Sequence, residues 1–253
     1  MLTGANIKFI KSLHSKKGRK DTGLFVAEGD KIAKELLQSS YKIRNVYALS
    51  EWIKLNEKFI ETPSHITGVS PKELARISGL KTPNQVLVVA EIPEKELSDL
   101  KVSENITLVL DTIQDAGNLG TIIRTADWFG VTNIVCSLDT VELYNPKVVQ
   151  ASMGSITRMN LVYQNLPGFF KTLSKQVEVY GAFLDGENIN ELKPPKELIL
   201  VLGNESKGIS DNVLPYITKK TTIPSFSNSG SNQKAESLNA SIAAAIYLSW
   251  YRM

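Results

Sequence analysis

Apolar runs of strand length alternate with helical patterns through the second half of the chain, and this alternation limits the fold more than any other feature of the sequence. Strands are predicted at residues 106–111, 133–136, 177–184 and 198–202, and helices at 119–129, 146–152 and 237–251. Strands that are apolar along their whole length and separated by helices are typical of parallel sheets that helices cover on both faces. The sequence therefore predicts an α/β domain over residues 104–253 with a mostly parallel sheet.

The first part of the chain predicts a smaller α/β domain over residues 1–95. Its strands are predicted at 24–27, 43–49 and 85–91, and its helices at 31–38 and 71–77. Asp30 and Ser70 are candidate caps for these two helices, and Pro71 suits a first helical turn. Residues 92–104 are charged and lack a strand pattern, so we expect them to link the two domains.

Composition argues against several classes of protein. No apolar run approaches the roughly 20 residues that cross a bilayer, and the N-terminus lacks the apolar core of a signal peptide. We therefore expect a cytoplasmic protein without a membrane partner. The single cysteine, Cys136, lies in an apolar run and is expected to be a buried, unreactive thiol. With only two histidines beside it, a metal site is not expected.

Positive charge is concentrated at the start of the chain. Residues 1–20 contain no acid and six bases, which are Lys8, Lys11, Lys16, Lys17, Arg19 and Lys20. The other 23 bases and 26 acids give the remainder a net charge of −3, against +3 for the whole chain. A basic segment on a slightly acidic body fits a contact with a polyanion, although a solvated, mobile terminus has the same composition.

A first block of candidate site residues runs from Asn118 to Gly130 and covers the predicted helix that follows the strand 106–111. One interpretation makes Asn118 an ordinary helix cap and gives Arg124 a surface ion pair. The other makes Arg124 a fixed cation beside a ribose hydroxyl or a phosphate.

A second block runs from Gly203 to Gly208, directly after the apolar strand 198–202. The missing Cβ of Gly203 would let a ligand approach the backbone, and Glu205 follows at the end of the strand; an ordinary turn has the same pattern. Neither the Walker spacing nor the Rossmann glycine fingerprint is present, because Lys207 precedes Gly208 and no Gly-x-Gly-x-x-Gly occurs here. Nucleoside triphosphate and dinucleotide sites therefore lose support.

A third block begins at Ile223-Pro224, which closes a strand, and continues at residues 237–241, which open the last helix. Ser237 and Asn239 could be helix caps or could stand beside a reacting centre. All three blocks would lie at the carboxyl ends of strands, where open α/β sheets bind their ligands.

Together and in this order, the three blocks resemble the SpoU (TrmH-like) family of RNA 2'-O-ribose methyltransferases over residues 104–250. The opening of the chain resembles the L30e-like substrate-binding domain that often precedes a SpoU catalytic domain. The resemblance implies methyl transfer from S-adenosylmethionine to a ribose 2'-hydroxyl, with no metal. It also implies a C-terminal trefoil knot formed by the motif loops, and a homodimer for which the last helix is a candidate contact.

The family pattern implies roles for individual residues of this sequence. The catalytic group would be Asn118, Arg124, Glu205, Ser237 and Asn239, with Arg124 activating the 2'-hydroxyl as a base or through a phosphate relay. The cofactor would be bound by Leu202, Gly203, Gly208, Ile223 and Leu238. With RNA as the substrate, the six bases of residues 1–20 become candidate phosphate contacts. In one respect the chain departs from the family, because its link 225–236 is longer than usual and could act as a flexible lid.

The sequence leaves the RNA open. Fusion to an L30e-like domain favours ribosomal RNA, here 23S, over transfer RNA. A non-catalytic RNA-binding paralogue, a base methyltransferase of the wider knotted superfamily and a nucleotide enzyme of ordinary fold are the alternatives. Arg124, Glu205 and Asn239 argue against the first, and the Ser-Leu-Asn of residues 237–239 argues against the second.

Overall fold

The computed structural model describes residues 2–60, 65–97, 105–174, 176–226 and 236–253. In the described residues, helices α1 to α9 are Gly4–Ser12, Lys16–Thr22, Asp30–Leu37, Ser50–Leu55, Pro71–Ile77, Ala116–Trp128, Pro146–Ser152, Leu166–Thr172 and Ala240–Arg252. Strands β1 to β10 are Leu24–Glu28, Ile43–Ala48, Ile66–Gly68, Val86–Glu91, Ile106–Leu110, Asn133–Ser137, Asn160–Gln164, Glu178–Asn188, Leu198–Leu202 and Lys219–Thr222. These elements form two compact units, which are described separately below.

The first unit comprises Met1–Glu94 and Glu142–Thr157. Its four-stranded sheet has the order β1-β4-β2-β3, with β4 antiparallel to both neighbours and β2 parallel to β3. The predicted strands and helices of residues 24–91 are confirmed to within one or two residues at their ends. Residues 142–157, which follow β6 in the sequence, belong to this unit and include α7.

Residues 4–22 contain two short helices, α1 and α2, which the sequence analysis did not predict. Ile7, Ile10 and Leu13 recur every three residues, and this spacing places all three in the core of the first unit. Thr3 and Ser15 accept hydrogen bonds from backbone N–H groups and cap α1 and α2. The basic residues are therefore carried on helices that an apolar face attaches to the unit.

Arg19 is the exception among these basic residues, and its assignment to RNA is wrong in this structure. Its side chain is 2% exposed. It donates from Nε and from the second guanidinium nitrogen to the two carboxylate oxygens of Glu142, each over 2.9 Å, and from the remaining nitrogen to the carbonyl of Leu13. A buried, bidentate pair of this kind holds the guanidinium inside the protein. Lys8, Lys11, Lys16, Lys17 and Lys20 are exposed.

The start of α5 has a complete capping box. Ser70 accepts from the N–H of Glu73, and the Glu73 carboxylate accepts from the N–H of Ser70 at 2.9 Å and from that of Leu2 at 2.8 Å. These backbone hydrogen bonds lower the pKa of Glu73 from 4.5 to about 2, and the bond from Ser70 has a larger effect than the bond from Leu2.

We expect Glu73→Gln to remove part of the acid sensitivity of the fold. Because the pKa of Glu73 is lowered in the folded state, its contribution to stability is present above pH 4.5 and is lost as the pH falls towards about 2. Urea unfolding at pH 6 and pH 3 should show a smaller loss of stability for Glu73→Gln than for the wild type. Glu51→Gln, an exposed substitution in α4, is the control. Equal acid sensitivity of the two variants would contradict the assignment.

The second unit comprises Lys95–Val141 and Arg158–Met253. Its six-stranded sheet has the order β10-β8-β9-β5-β6-β7, every pairing is parallel, and helices flank the sheet. The α/β prediction is confirmed, and strands β5, β6 and β9 are buried throughout. Cys136 lies in β6 and is fully buried, as predicted, and burial raises the pKa of its thiol. Strand β7 and helix α8 were not predicted.

Candidate functional site

The carboxyl ends of the parallel strands lie along one edge of the sheet of the second unit. The strand order reverses between β5 and β9, where doubly wound sheets usually open a ligand crevice. Here the chain itself closes that crevice. The amide of Asn204 donates to the carbonyl of Thr112 at 3.0 Å, and the N–H of Ser210 donates to the carboxylate of Asp111 at 2.7 Å.

The loop Gly203–Gly208 folds back on itself. The backbones of Asn204 and Gly208 exchange two hydrogen bonds of 3.0 and 2.8 Å, and Gly208 has a φ of +71°. A Cβ on Gly203 would lie 2.3 Å from the carbonyl carbon of Gly208 and 2.4 Å from the nitrogen of Ile209. The expectation that Gly203 leaves room for a ligand is therefore corrected, because the returning backbone fills that space.

A cavity of about 390 Å³ lies beside this loop, along residues 182–185 in the middle of β8 and at the ends of β9 and β10. Its lining includes all five residues predicted to bind the cofactor, which are Leu202, Gly203, Gly208, Ile223 and Leu238. Glu205 and Ser237 also line it, whereas Asn118, Arg124 and Asn239 do not. The volume falls within the range of small-molecule sites, roughly 300–1,000 Å³.

The lining residues that the sequence analysis did not name as site residues include Phe183, Asp185 and Tyr247. Tyr247 of α9 is 1% exposed, and its hydroxyl lies 3.0 Å from that of Thr221, which donates to the carbonyl of Gly181 at 2.9 Å. Burial raises the pKa of Tyr247 to about 12, so the phenol stays protonated. Phe183 and Asp185 could have been suspected, because the predicted strand 177–184 ends there.

Side-chain hydrogen bonds join one residue from each of the three sequence blocks. The amide of Asn239 donates to the carbonyl oxygen of Asn118 at 2.8 Å, and the amide of Asn118 donates to the carboxylate of Glu205. Asn118 therefore holds Glu205 and Asn239 at once, although 87 and 121 residues separate it from them. We refer to Asn239, Asn118 and Glu205 as the amide network.

Two helix caps position the amide network. Asp115 caps α6 by accepting the N–H of Asn118 at 2.8 Å, so the interpretation of Asn118 as the helix cap is wrong. Asn118 consequently lies in the first turn, where its side chain can reach Glu205. Asn239 caps α9 by accepting the N–H of Ser241 at 2.9 Å, so α9 begins at Ala240 and not at Ser237.

Arg124 is not part of the amide network. It lies six residues beyond Asn118 on α6, about 9 Å along the helix axis, and its side chain is exposed. No hydrogen bond or ion pair joins it to the other described residues. Ser237 lines the cavity but is likewise outside the amide network.

The remaining predictions fall on other parts of the chain. Most of the link 225–236 lies outside the described residues, so the lid hypothesis stays a prediction. Within the described ranges, no cluster of three or more His, Cys, Asp or Glu side chains could hold a metal ion. The helices of the same ranges are too short or too polar to cross a membrane.

Comparison with known proteins supplies the context for this site. A model of the SpoU rRNA Methylase family matches residues 105–249, and a model of the MRM3-like substrate binding domain matches residues 5–88. The 23S rRNA (guanosine(2553)-2'-O)-methyltransferase RlmP of Bacillus subtilis is 31% identical over 242 residues, which cover 95% of this chain and 93% of that protein.

Two solved structures resemble the whole chain. A protein from Porphyromonas gingivalis assigned to the TrmH family of RNA methyltransferases is 36% identical, with a TM-score of 0.86 over 100% of this chain and 98% of its own. An AdoMet-bound rRNA methyltransferase from Sinorhizobium meliloti is 28% identical, with a TM-score of 0.86 over 100% of this chain and 95% of its own.

Proposed function

The chain belongs to the SpoU rRNA methylase family, and we propose from its site that it methylates a ribose 2'-hydroxyl of 23S ribosomal RNA, with S-adenosylmethionine as the methyl donor. The observation that carries this proposal is the amide network, which joins the three motif blocks beside a cavity of cofactor size. Because the network is complete, the alternative of a non-catalytic RNA-binding paralogue loses support. Transfer RNA is the alternative substrate.

The cavity suits S-adenosylmethionine in shape and in charge. Leu202, Ile223 and Leu238 provide apolar walls for an adenine ring, while Asp185 and Glu205 provide carboxylates on the same lining. Two carboxylates complement the ammonium and sulfonium groups of the cofactor. When bound, the cofactor supplies an electrophilic methyl group on sulfur.

The residues of the chain would act on the acceptor mainly by positioning it. Asn118 uses both ends of its amide within the network, so it orients Glu205 and Asn239 instead of contacting the cofactor. Arg124 is exposed and free to meet the RNA. Guanidinium groups keep their proton at neutral pH, so we propose that Arg124 acts on the 2'-hydroxyl through an RNA phosphate or as an electrostatic partner.

Methyl transfer from tritiated S-adenosylmethionine to 23S ribosomal RNA and to transfer RNA tests the function. We expect label in the ribosomal RNA, at a ribose that resists alkaline cleavage. Label on a base, label only in transfer RNA, or no label from protein that binds the cofactor would each contradict the proposal. Mapping of 2'-O-methyl sites in RNA from cells with and without the gene then identifies the nucleotide.

We further propose that the protein is a homodimer, that the motif loops at residues 203–208 and 223–241 form a trefoil knot, and that the dimer forms through the paired helices α6 and α9. These helices run side by side in the same direction. Asn118 and Asn239 join their starts, and Arg252 donates to the carbonyl of Phe129 at their ends, over 2.8 Å. Their exposed side chains include Trp128 at 86% and Ile242 at 50%.

The substitution Ile242→Glu is expected to convert the dimer to a monomer, because it would place a charge in an apolar contact. Light scattering coupled to gel filtration measures the mass. Leu55→Glu, a change at a 78% exposed leucine of the first unit, should leave the dimer intact. A monomeric wild type, or a dimeric Ile242→Glu protein, would refute the proposed contact. Arg124 lies on α6, so such a dimer would bring it to the subunit boundary.

We also propose that residues 1–95 form the RNA-binding domain and that residues 104–253 form the catalytic domain. Changing Lys8, Lys11, Lys16 and Lys17 together to Gln should weaken binding similarly across RNA sequences, because phosphate contacts position RNA without reading it. For each phosphate that the variant no longer neutralises, the salt dependence of binding to single-stranded RNA should become shallower by about 0.7 in log–log slope.

The matched control removes the same charge from elsewhere in the first unit, by changing the exposed residues Lys31, Lys54, Lys72 and Lys81 to Gln. Affinity and salt slope are measured by fluorescence anisotropy with the proposed substrate RNA. Equal effects of the two quadruple variants would show that only overall charge matters. Wild-type binding by the first variant would place the RNA contact elsewhere.

A further inference from the structure

A second cavity, of about 150 Å³, lies at the carboxyl ends of β5, β6 and β7. Its walls come from four loops, at residues 111–112, 137–139, 164–167 and 210–213. It is smaller than the roughly 300–1,000 Å³ of sites for whole cofactors, so a single ring system is the largest group that suits it.

The charges of this second cavity exclude a phosphate as its ligand. The lining contains no Lys or Arg, and it includes two carboxylates, Asp111 and Asp139. Asp111 is 3% exposed and already accepts hydrogen bonds from the N–H of Ser210 and the hydroxyl of Thr112. Asp139 is exposed, and no hydrogen bond or ion pair connects its carboxylate to another described residue.

The other groups of the lining suit a flat, neutral ring that forms hydrogen bonds at its edge. The amide of Gln164 is half-buried and has no side-chain hydrogen bond within the described residues. Leu138 is 66% exposed, and with Pro167 it offers apolar surface to the cavity. Apolar faces beside unused polar groups are what recognition of a splayed, unpaired RNA base requires.

We propose that the second cavity binds one unpaired guanine of the substrate RNA, a proposal that rests on the proposed function. The Watson–Crick edge of guanine presents two adjacent N–H donors, from N1 and from the exocyclic amine, and one carboxylate can accept both. Asp139 would accept these donors, and the amide of Gln164 would bond the neighbouring carbonyl. The hydrogen bond from Asn204 to Thr112 joins the linings of the two cavities, so the guanine would lie near the methylated ribose.

Equilibrium selection from a pool of RNA hairpins with eight randomised loop positions tests this site. The full-length protein is held with S-adenosylhomocysteine, and the bound RNA is sequenced. We expect a guanine preference of about tenfold or more at one loop position, since a bidentate base contact commonly discriminates by that factor. Asp139→Asn and Gln164→Ala should each reduce this preference.

Asp211→Asn is the matched control, because Asp211 is an exposed carboxylate of the loop 210–213 but is not itself among the lining residues. It should keep the guanine preference. Inosine lacks the exocyclic amine; replacing the selected guanine by inosine should weaken binding to the wild type and have little effect on Asp139→Asn. No guanine preference, or a preference that survives Asp139→Asn, would overturn the proposal.

The selection reads binding and needs no methyl transfer. A protein that selects guanine through Asp139 but transfers no methyl group would contradict the proposed function and leave the guanine site standing. A protein that methylates 23S ribosomal RNA, but whose RNA binding does not depend on Asp139, would support the proposed function and contradict the guanine site.

Discussion

Substitution Asn118→Ala is expected to lower the turnover number for RNA methylation by about 100-fold, the loss that follows when reacting groups are displaced by about an ångström. Asn118 holds both Glu205 and Asn239, so its loss releases two side chains beside the cofactor cavity. Because Asn118 itself does not line that cavity, although Glu205 does, the affinity for S-adenosylhomocysteine should fall much less than turnover. Single-turnover methylation and isothermal calorimetry measure the two quantities.

The control for Asn118→Ala is Asn188→Ala, since Asn188 also donates from its amide to a glutamate, Glu191, but lies outside the cavity lining. It should keep wild-type turnover. Turnover of Asn118→Ala within a few-fold of the wild type would remove the amide network from the catalytic site. A parallel loss of cofactor affinity would show that Asn118 supports the cavity and not the chemistry.

Substitution Gly203→Ala is expected to weaken cofactor binding by about 100-fold, because crowding of a packed backbone commonly costs up to about 3 kcal/mol. The added Cβ would lie 2.3 Å from the carbonyl carbon of Gly208, so the loop Gly203–Gly208 must open. That loop forms one wall of the cofactor cavity. Calorimetry with S-adenosylhomocysteine measures the affinity, and thermal unfolding shows whether the fold survives.

Gly208→Ala separates crowding from backbone strain. At Gly208 an added Cβ meets open space, but the φ of +71° is unfavourable for any residue with a side chain. We expect a cost of about 1–2 kcal/mol in stability, with a smaller loss of cofactor affinity than in Gly203→Ala. If Gly203→Ala leaves the cofactor affinity unchanged, the prediction is wrong, and the cofactor cavity tolerates a displacement of the loop Gly203–Gly208.

The sheet of the second unit could be predicted because its signal is local. The all-apolar strands β5, β6 and β9 are visible as runs in the sequence, and their separation by helices requires parallel pairing. Strand β7, Asn160–Gln164, was missed because polar residues stand at both of its ends. Helix α1 was not predicted, because its lysines indicated a solvated basic segment, although Ile7 and Ile10 have helical spacing.

The candidate site residues were chosen from three blocks of sequence, but the sequence did not reveal which of them would meet. Local reasoning made Asn118 a helix cap, whereas Asp115 takes that role and frees Asn118 to bond to Glu205 and Asn239. Arg19 was grouped with exposed lysines, because only folding brings it to Glu142, 123 residues away.

The sequence by itself therefore determined the class of sheet, the three motif blocks and the family, since each depends on residue types at short spacing. Only the tertiary structure decided which polar side chains form hydrogen bonds with each other, and that Arg19 is the buried one of the six basic residues. It also decided that the returning backbone of Gly208 fills the space at Gly203. The physical reason is that a hydrogen bond or a contact depends on distance in space. Segments about 100 residues apart in the chain meet only where the packing of the apolar strands places their loops side by side.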